Sequence, residues 1–176
     1  MNSKSSALSG PGIHLICGPT GAGKSTYANK LSNEVDAVHL SIDDWMTSLF
    51  GPDIENPMDW GWISERAIRC EERILSLAIA LAQKGTPSIL EIGLQRTSRR
   101  SEVISVIKES GCTFQTHLLL VDAEERWRRV QQRNNEQDET FRLTVTKDIF
   151  DFFEGMWEAP STEEQILINS SDLITE

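Results

Sequence analysis

Between Gly18 and Ser25 the chain reads Gly-Pro-Thr-Gly-Ala-Gly-Lys-Ser, the full pattern of a phosphate-cradling loop. Glycines at these positions let backbone N–H groups converge on phosphate oxygens where a Cβ would stand in the way. Lys24 can reach the outer phosphates of a nucleoside triphosphate, and the Ser25 hydroxyl is a hard oxygen ligand suited to Mg²⁺. Gly18, Thr20, Gly21, Ala22, Gly23, Lys24, Ser25 and Thr26 are therefore the nucleotide-contact candidates, with ATP and Mg²⁺ as the implied cofactors.

Three further sets of residues could act beside such a loop. Asp43 and Asp44 follow an apolar segment, where a carboxylate could take a proton from a hydroxyl or hold a Mg²⁺-bound water, or simply cap a helix. Glu91 interrupts the apolar run Ile89–Gly93, and a buried acid there needs either a cation such as Mg²⁺ or a structural partner. Arginines gather at Arg96, Arg99 and Arg100 and at Arg126, Arg128, Arg129 and Arg133. The spacing of Arg126, Arg129 and Arg133 puts them on one helix face, able to meet phosphate or adenine, or to answer Glu124 and Glu125. Among the tryptophans, Trp60 stands in an irregular stretch from Gly51 to Gly61 and is the one suited to a substrate pocket.

The elements that must position these groups alternate. Ile13–Cys17, Ala37–Ile42, Ser88–Ile92, Thr113–Val121 and Gln165–Asn169 read as strands. Gly23 to about Ser32, Ser64–Gln83, Ser98–Glu109, Ala123 to Arg133 and Thr144–Trp157 read as helices, and Asn134–Thr140 as a polar loop. That order predicts an α/β fold, a three-layer α/β/α sandwich of the P-loop NTPase kind with a mainly parallel five-stranded sheet and a short lid at about 134–142. Residues 1–12 read as a frayed tail and 13–176 as a single domain.

Composition narrows the class. The net charge of −10 argues against a bulk nucleic-acid binder, and the excess is uneven: 11 acids and two bases follow position 133, against 16 and 15 before it. No apolar run reaches the ~20 residues of a membrane span. Three cysteines without metal-ligand spacing suit a reduced, cytoplasmic protein.

Taken in order, GPTGAGKST, SIDD, EIG with its following arginine, and ERWRRVQQRN resemble the small bacterial P-loop kinase-like proteins of the AAA family, similar to chloramphenicol phosphotransferase, gluconate kinase, polynucleotide kinase and zeta toxin. The segment from Phe141 to Pro160 resembles the C-terminal part of one subgroup. The resemblance favours Asp43 over Asp44 as base or Mg²⁺ organiser. It implies an acid at Glu91, where many relatives have aspartate, a substrate-side arginine at Arg100, and Arg129 and Arg133 beside the lid. Its expected activity is ATP-dependent phosphoryl transfer from Lys24-bound phosphates to a small hydroxyl-bearing acceptor near Asp43, Trp60 and Arg100. Two other readings are a nucleotide-dependent switch with a protein partner and a polynucleotide 5′-kinase. A closed pocket beside Asp43 would favour the kinase, and an open flat surface the switch.

Overall fold

The apolar runs pair side by side, all in parallel, into one sheet of strand order β2-β3-β1-β4-β5. The computed structural model describes residues 10, 12–54, 59–136, 144–162, 164 and 173–174. In chain order the elements are β1 (Ile13–Cys17), α1 (Lys24–Val35), β2 (Val38–Ser41), α2 (Ile42–Phe50), a 3₁₀ turn (Gly51–Asp53) and α3 (Trp60–Gln83). Then come β3 (Ser88–Glu91), α4 (Thr97–Glu109), β4 (Phe114–Leu119), α5 (Ala123–Glu136), α6 (Lys147–Met156) and a two-residue β5 (Leu173–Ile174).

β1 and β3 are buried along their whole length, as central strands covered on both faces must be. On one face Ile13, Leu15 and Leu90 pack with Ile74 and Ala78 of α3 and Val103 and Ile107 of α4. On the other, Ile16, Ile89 and Leu119 pack with Ala28 and Leu31 of α1. This is the three-layer sandwich the alternation predicts. Its register pairs Ser41 with Glu91 and Leu15 with Leu90, so the ends of β2, β3 and β1 open onto one edge. Ligands of parallel sheets bind outside that carboxyl edge.

Several boundaries differ from the sequence reading. α3 begins at Trp60 rather than Ser64, because the Asp59 side chain caps it, accepting from the N–H groups of Gly61 (2.9 Å) and Trp62 (3.1 Å). The stretch read as one irregular segment is thus a 3₁₀ turn directly after α2, residues 55–58 outside the described part, the cap Asp59 and the first two residues of α3. Asn134–Glu136 complete α5 instead of opening a loop. The Asn134 amide donates to the Val145 carbonyl (2.8 Å) and accepts from its N–H (3.2 Å), tying this helix end to the chain before α6. The rest of the expected lid, and the strand expected at Gln165–Asn169, lie outside the described residues. The fifth strand is instead Leu173–Ile174, beside β4.

Candidate nucleotide-binding and catalytic site

β1 ends at Cys17, and the next six residues turn the chain back into α1. Two of them stand in left-handed backbone conformations, Gly21 at φ 79° and Gly23 at φ 87°, which only glycine adopts without strain. Space matters as well as angle. A Cβ on Gly18 would lie 2.8 Å from the Leu119 carbonyl oxygen, and one on Gly21 2.7 Å from that of Arg126. The loop is therefore wedged between β4 and α5, and its N–H groups at the start of α1 form an anion-receiving nest. Lys24 lies across it, its ammonium donating to the Pro19 carbonyl (3.1 Å). Ala22 is buried, its N–H bonded to the same carbonyl at 3.2 Å, and Thr26 is exposed one step into the helix.

The acidic wall stands opposite. The Ser25 hydroxyl donates to Glu91 Oε1 at 2.7 Å, while His39 Nε2 meets Glu91 Oε2 at 3.2 Å and its Nδ1 meets Asn29 at 3.0 Å. Burial pushes the Glu91 carboxyl upward, but the hydrogen bonds from His39 and Ser25 and the charge of Lys24 outweigh it, holding it below the usual range. Asp43 opens α2 in its first turn, capped not by either aspartate but by Ser41, whose hydroxyl accepts from the Asp44 N–H (3.3 Å). The Asp43 residue is exposed, yet desolvation by the surrounding protein raises its pKa; Glu91 and Asp44 add to the rise, and Lys24 and Arg133 oppose it. Asp43, Glu91, Lys24 and Arg133 thus share one electrostatic neighbourhood.

α5 supplies the arginines, in two different roles. Arg126 is buried and structural: it donates to the Val121 carbonyl (2.8 Å), to the Thr20 carbonyl in the phosphate loop (3.1 Å), and with two N–H groups to Glu154 of α6 (2.7 and 2.8 Å). Arg129 reaches the loop itself: its Nη1 is 3.8 Å from where a Gly23 Cβ would be, while its Nε bonds Glu125 (2.8 Å). Arg133 carries a solvent-shielded Nε without a hydrogen-bond partner among the described residues. A buried guanidinium N–H left unpaired beside a phosphate loop fits an incoming anion.

Two expected site residues are engaged in contacts of their own. Arg100 is not available to a substrate: its five N–H groups are taken by Glu164 (twice), the Leu94 and Gln95 carbonyls, and Thr97 Oγ1. It is a buried strut that ties α4 to the chain before and after it. Trp60 lies against Phe152 and Phe153 of α6, not in a loop. Sequence reasoning missed His39 and Glu71. Glu71 Oε1 accepts from the Gly93 N–H (2.8 Å) and its other oxygen pairs with Arg99 (3.0 Å), fixing the turn that follows Glu91. A Cβ on Gly93 would collide with that carboxylate, which is held in place by its bonds to the Gly93 N–H and Arg99, and this favours the glycine two residues after the acid. An acid at the inner face of α3 gave the only signal. A depression of about 470 Å³ lined by Asp122, Glu124, Glu125, Trp127, Arg128 and Gln131 contains none of the phosphate-loop residues.

A phosphate loop after the first strand of an all-parallel sheet, faced by carboxylates from the two next strands, defines a P-loop nucleoside-triphosphate-binding protein of the kinase-like type. The chain belongs to the AAA domain family, whose pattern matches residues 13–154. No curated protein matches the sequence. Solved structures share the fold. A sugar kinase from Janibacter sp. HTCC2649 is 14% identical, with a TM-score of 0.63 over 94% of this chain and 85% of its own. A candidate kinase from Chloroflexus aurantiacus is 15% identical, at 0.65 over 81% and 74%. A chain of the Pnkp1/Rnl/Hen1 RNA repair complex is 20% identical, at 0.64, and this chain spans 88% of itself but 46% of that one. Among the described residues no helix is long and apolar enough to cross a membrane.

Proposed function

We propose that this chain is an ATP-dependent phosphotransferase acting on a small hydroxyl-bearing acceptor. The observation that carries the reading is the placement of an exposed Asp43 in the first turn of α2, within the electrostatic neighbourhood of Lys24, Arg133 and Glu91, with Glu91 paired to Ser25 of the phosphate loop. A hydrolytic switch would not require a base at Asp43.

The loop N–H groups and the start of α1 hold the triphosphate, and Lys24 exchanges the Pro19 carbonyl for phosphate oxygen. Ser25 and Glu91 are hard oxygen donors 2.7 Å apart beside that position, which fits Mg²⁺. Among the described residues no three His, Cys, Asp or Glu gather as a metal cage, so such an ion would draw its remaining ligands from phosphate and water. Bound there, Mg²⁺ supplies charge neutralisation of the phosphates. Asp43 orients the acceptor hydroxyl and takes its proton as the oxygen–phosphorus bond forms and the bond to the β-phosphate oxygen breaks, releasing ADP. Arg129 and Arg133 meet the charge on the transferring group. Positioning and electrostatics are most of what phosphoryl transfer requires.

Screening hydroxyl compounds for acceptor-dependent ADP release tests the proposal. An acceptor should raise the rate well above the background hydrolysis, and the rise should vanish in Asp43→Asn. An equal rise in wild type and Asp43→Asn overturns the role given to Asp43.

A further inference from the structure

Four side chains close a ring of hydrogen bonds where the phosphate loop enters α1. Ser25 and Asn29 stand four residues apart on that helix, one turn apart on the same face. The Ser25 hydroxyl donates to Glu91 Oε1 on β3 at 2.7 Å. Glu91 Oε2 meets His39 Nε2 on β2 at 3.2 Å, and His39 Nδ1 meets Asn29 Oδ1, back on α1, at 3.0 Å. The strands make this reach possible. β2 and β3 pair in parallel with His39 opposite Ile89, so Glu91, two residues on, is the diagonal neighbour of His39 on the same face. That face is the one α1 covers, since Ile89 packs with Ala28 and Leu31.

The direction of the bonds follows from the groups. An ionised carboxylate only accepts, so Nε2 carries a hydrogen and points it at Glu91. Nδ1 faces an amide, which offers an oxygen or an N–H₂ and so serves either form of the ring. Each Glu91 oxygen thus has its own donor, Ser25 or His39, and the residue is 5% exposed. A glutamate brings several side-chain torsions to such a position, and any left free must be frozen when an ion arrives. The His39 bond freezes them beforehand. Both of its ring nitrogens are committed, so His39 itself offers nothing to a phosphate or an acceptor.

We infer that His39, braced by Asn29, is a positioning residue that holds the Glu91 carboxylate against Ser25 in readiness for a nucleotide-bound Mg²⁺. That role rests on the phosphotransferase reading for the place of Mg²⁺ beside Ser25 and Glu91. It is the same whether the phosphoryl group passes to an acceptor or to water. Hydrogen-bond partners behind a metal site commonly set metal affinity over about 10–100-fold.

The test measures binding rather than turnover. Affinity of the full chain for a fluorescent, non-hydrolysable ATP analogue is measured in EDTA and in excess Mg²⁺, and the ratio of the two is the Mg²⁺ enhancement. Mn²⁺ in place of Mg²⁺, followed by EPR, reads the affinity of the ion for the nucleotide-loaded protein. His39→Ala should lower the enhancement and the Mn²⁺ affinity about tenfold or more, with affinity in EDTA unchanged. His39→Gln, whose amide nitrogen stands near the place of Nε2, should restore most of both, and the shorter His39→Asn should not. Asn29→Ala should give a smaller loss in the same direction. Asn29 is exposed, so this variant folds, and with the Gln and Asn variants it decides the question if His39→Ala fails to fold. A merely structural ring would weaken binding in EDTA and in Mg²⁺ alike. An enhancement left unchanged in that way, or equal behaviour of His39→Gln and His39→Asn, overturns the role of His39 and leaves the phosphotransferase standing. The expected binding results with hydrolysis of ATP but no acceptor-dependent ADP release keep that role and overturn the phosphotransferase reading instead. A wild type with neither Mg²⁺ enhancement nor Mn²⁺ binding leaves the ion no site and overturns both.

Discussion

Gly21→Ala and Gly23→Ala make the same chemical change two residues apart and should have different consequences. Both glycines hold positive φ, so an alanine at either pays a left-handed strain of about 1–2 kcal/mol. At Gly23 the nearest atom to the new Cβ is Arg129 Nη1 at 3.8 Å, an ordinary contact with the end of a flexible side chain. At Gly21 the new Cβ meets the Arg126 carbonyl oxygen at 2.7 Å and Val130 Cγ2 at 3.0 Å. The first is backbone of α5, held by Arg126's own bonds to Thr20 and Glu154, so the loop or the helix must move. Overpacking of this kind adds about 1–3 kcal/mol. Gly21→Ala should therefore lose roughly 2–5 kcal/mol and Gly23→Ala about 1–2. Each kcal/mol moves the midpoint of a chain this size by about 2–4 °C. Thermal and urea unfolding of both variants without nucleotide measures the difference. Equal losses, or a milder loss at Gly21, would refute the wedging of the phosphate loop between α5 and β4.

Other outcomes follow from particular contacts. Asp43→Asn should leave nucleotide affinity near that of wild type and lower acceptor-dependent turnover by roughly 100-fold or more, whereas Asp44→Asn should do much less; steady-state kinetics on both variants checks this. The hydrogen bonds from Arg126 hold the Glu154 carboxyl below its ordinary value. Its share of stability is thus fully present above the unfolded carboxyl pKa near 4.5 and lost as pH falls through the lower folded value, so Glu154→Gln should flatten that part of the acid-unfolding curve. Arg100→Ala strands Glu164 and three other acceptors around a buried site, and should cost about 3–5 kcal/mol by denaturant unfolding.

The phosphate loop was legible because its chemistry leaves no freedom: the same eight residues satisfy a geometric demand wherever a strand feeds a helix through such a nest. The strands from Ile13, Ser88 and Thr113 were legible for a related reason, since a central parallel strand must be apolar on both faces. Side-chain pairing was not. Arg126 belongs to the same arginine cluster as Arg133, and Arg100 to the other one, and charge alone does not say that Arg100 finds five acceptors while Arg133 keeps an Nε–H unpaired among the described residues. That division is made by Glu154 and Glu164, more than 25 residues from Arg126 and more than 60 from Arg100. The start of α3 was missed because its cap, Asp59, precedes a tryptophan and a glycine, two residues that carry little helical signal by themselves. Glu71 stayed hidden among the other acids of a charged helix until β3 was placed beside it.

The central claim is that Asp43 and the phosphate loop together move a phosphoryl group to an acceptor rather than to water. Incubating the protein with γ-³²P-labelled ATP, Mg²⁺ and an acceptor that stimulates ADP release, then separating labelled acceptor from labelled inorganic phosphate, measures this directly. Label should enter the acceptor in step with ADP formation, fall by roughly 100-fold or more in Asp43→Asn, and disappear in Lys24→Ala. Label found only in inorganic phosphate, at a rate that Asp43→Asn leaves unchanged, would contradict the account and make the protein a nucleotide hydrolase.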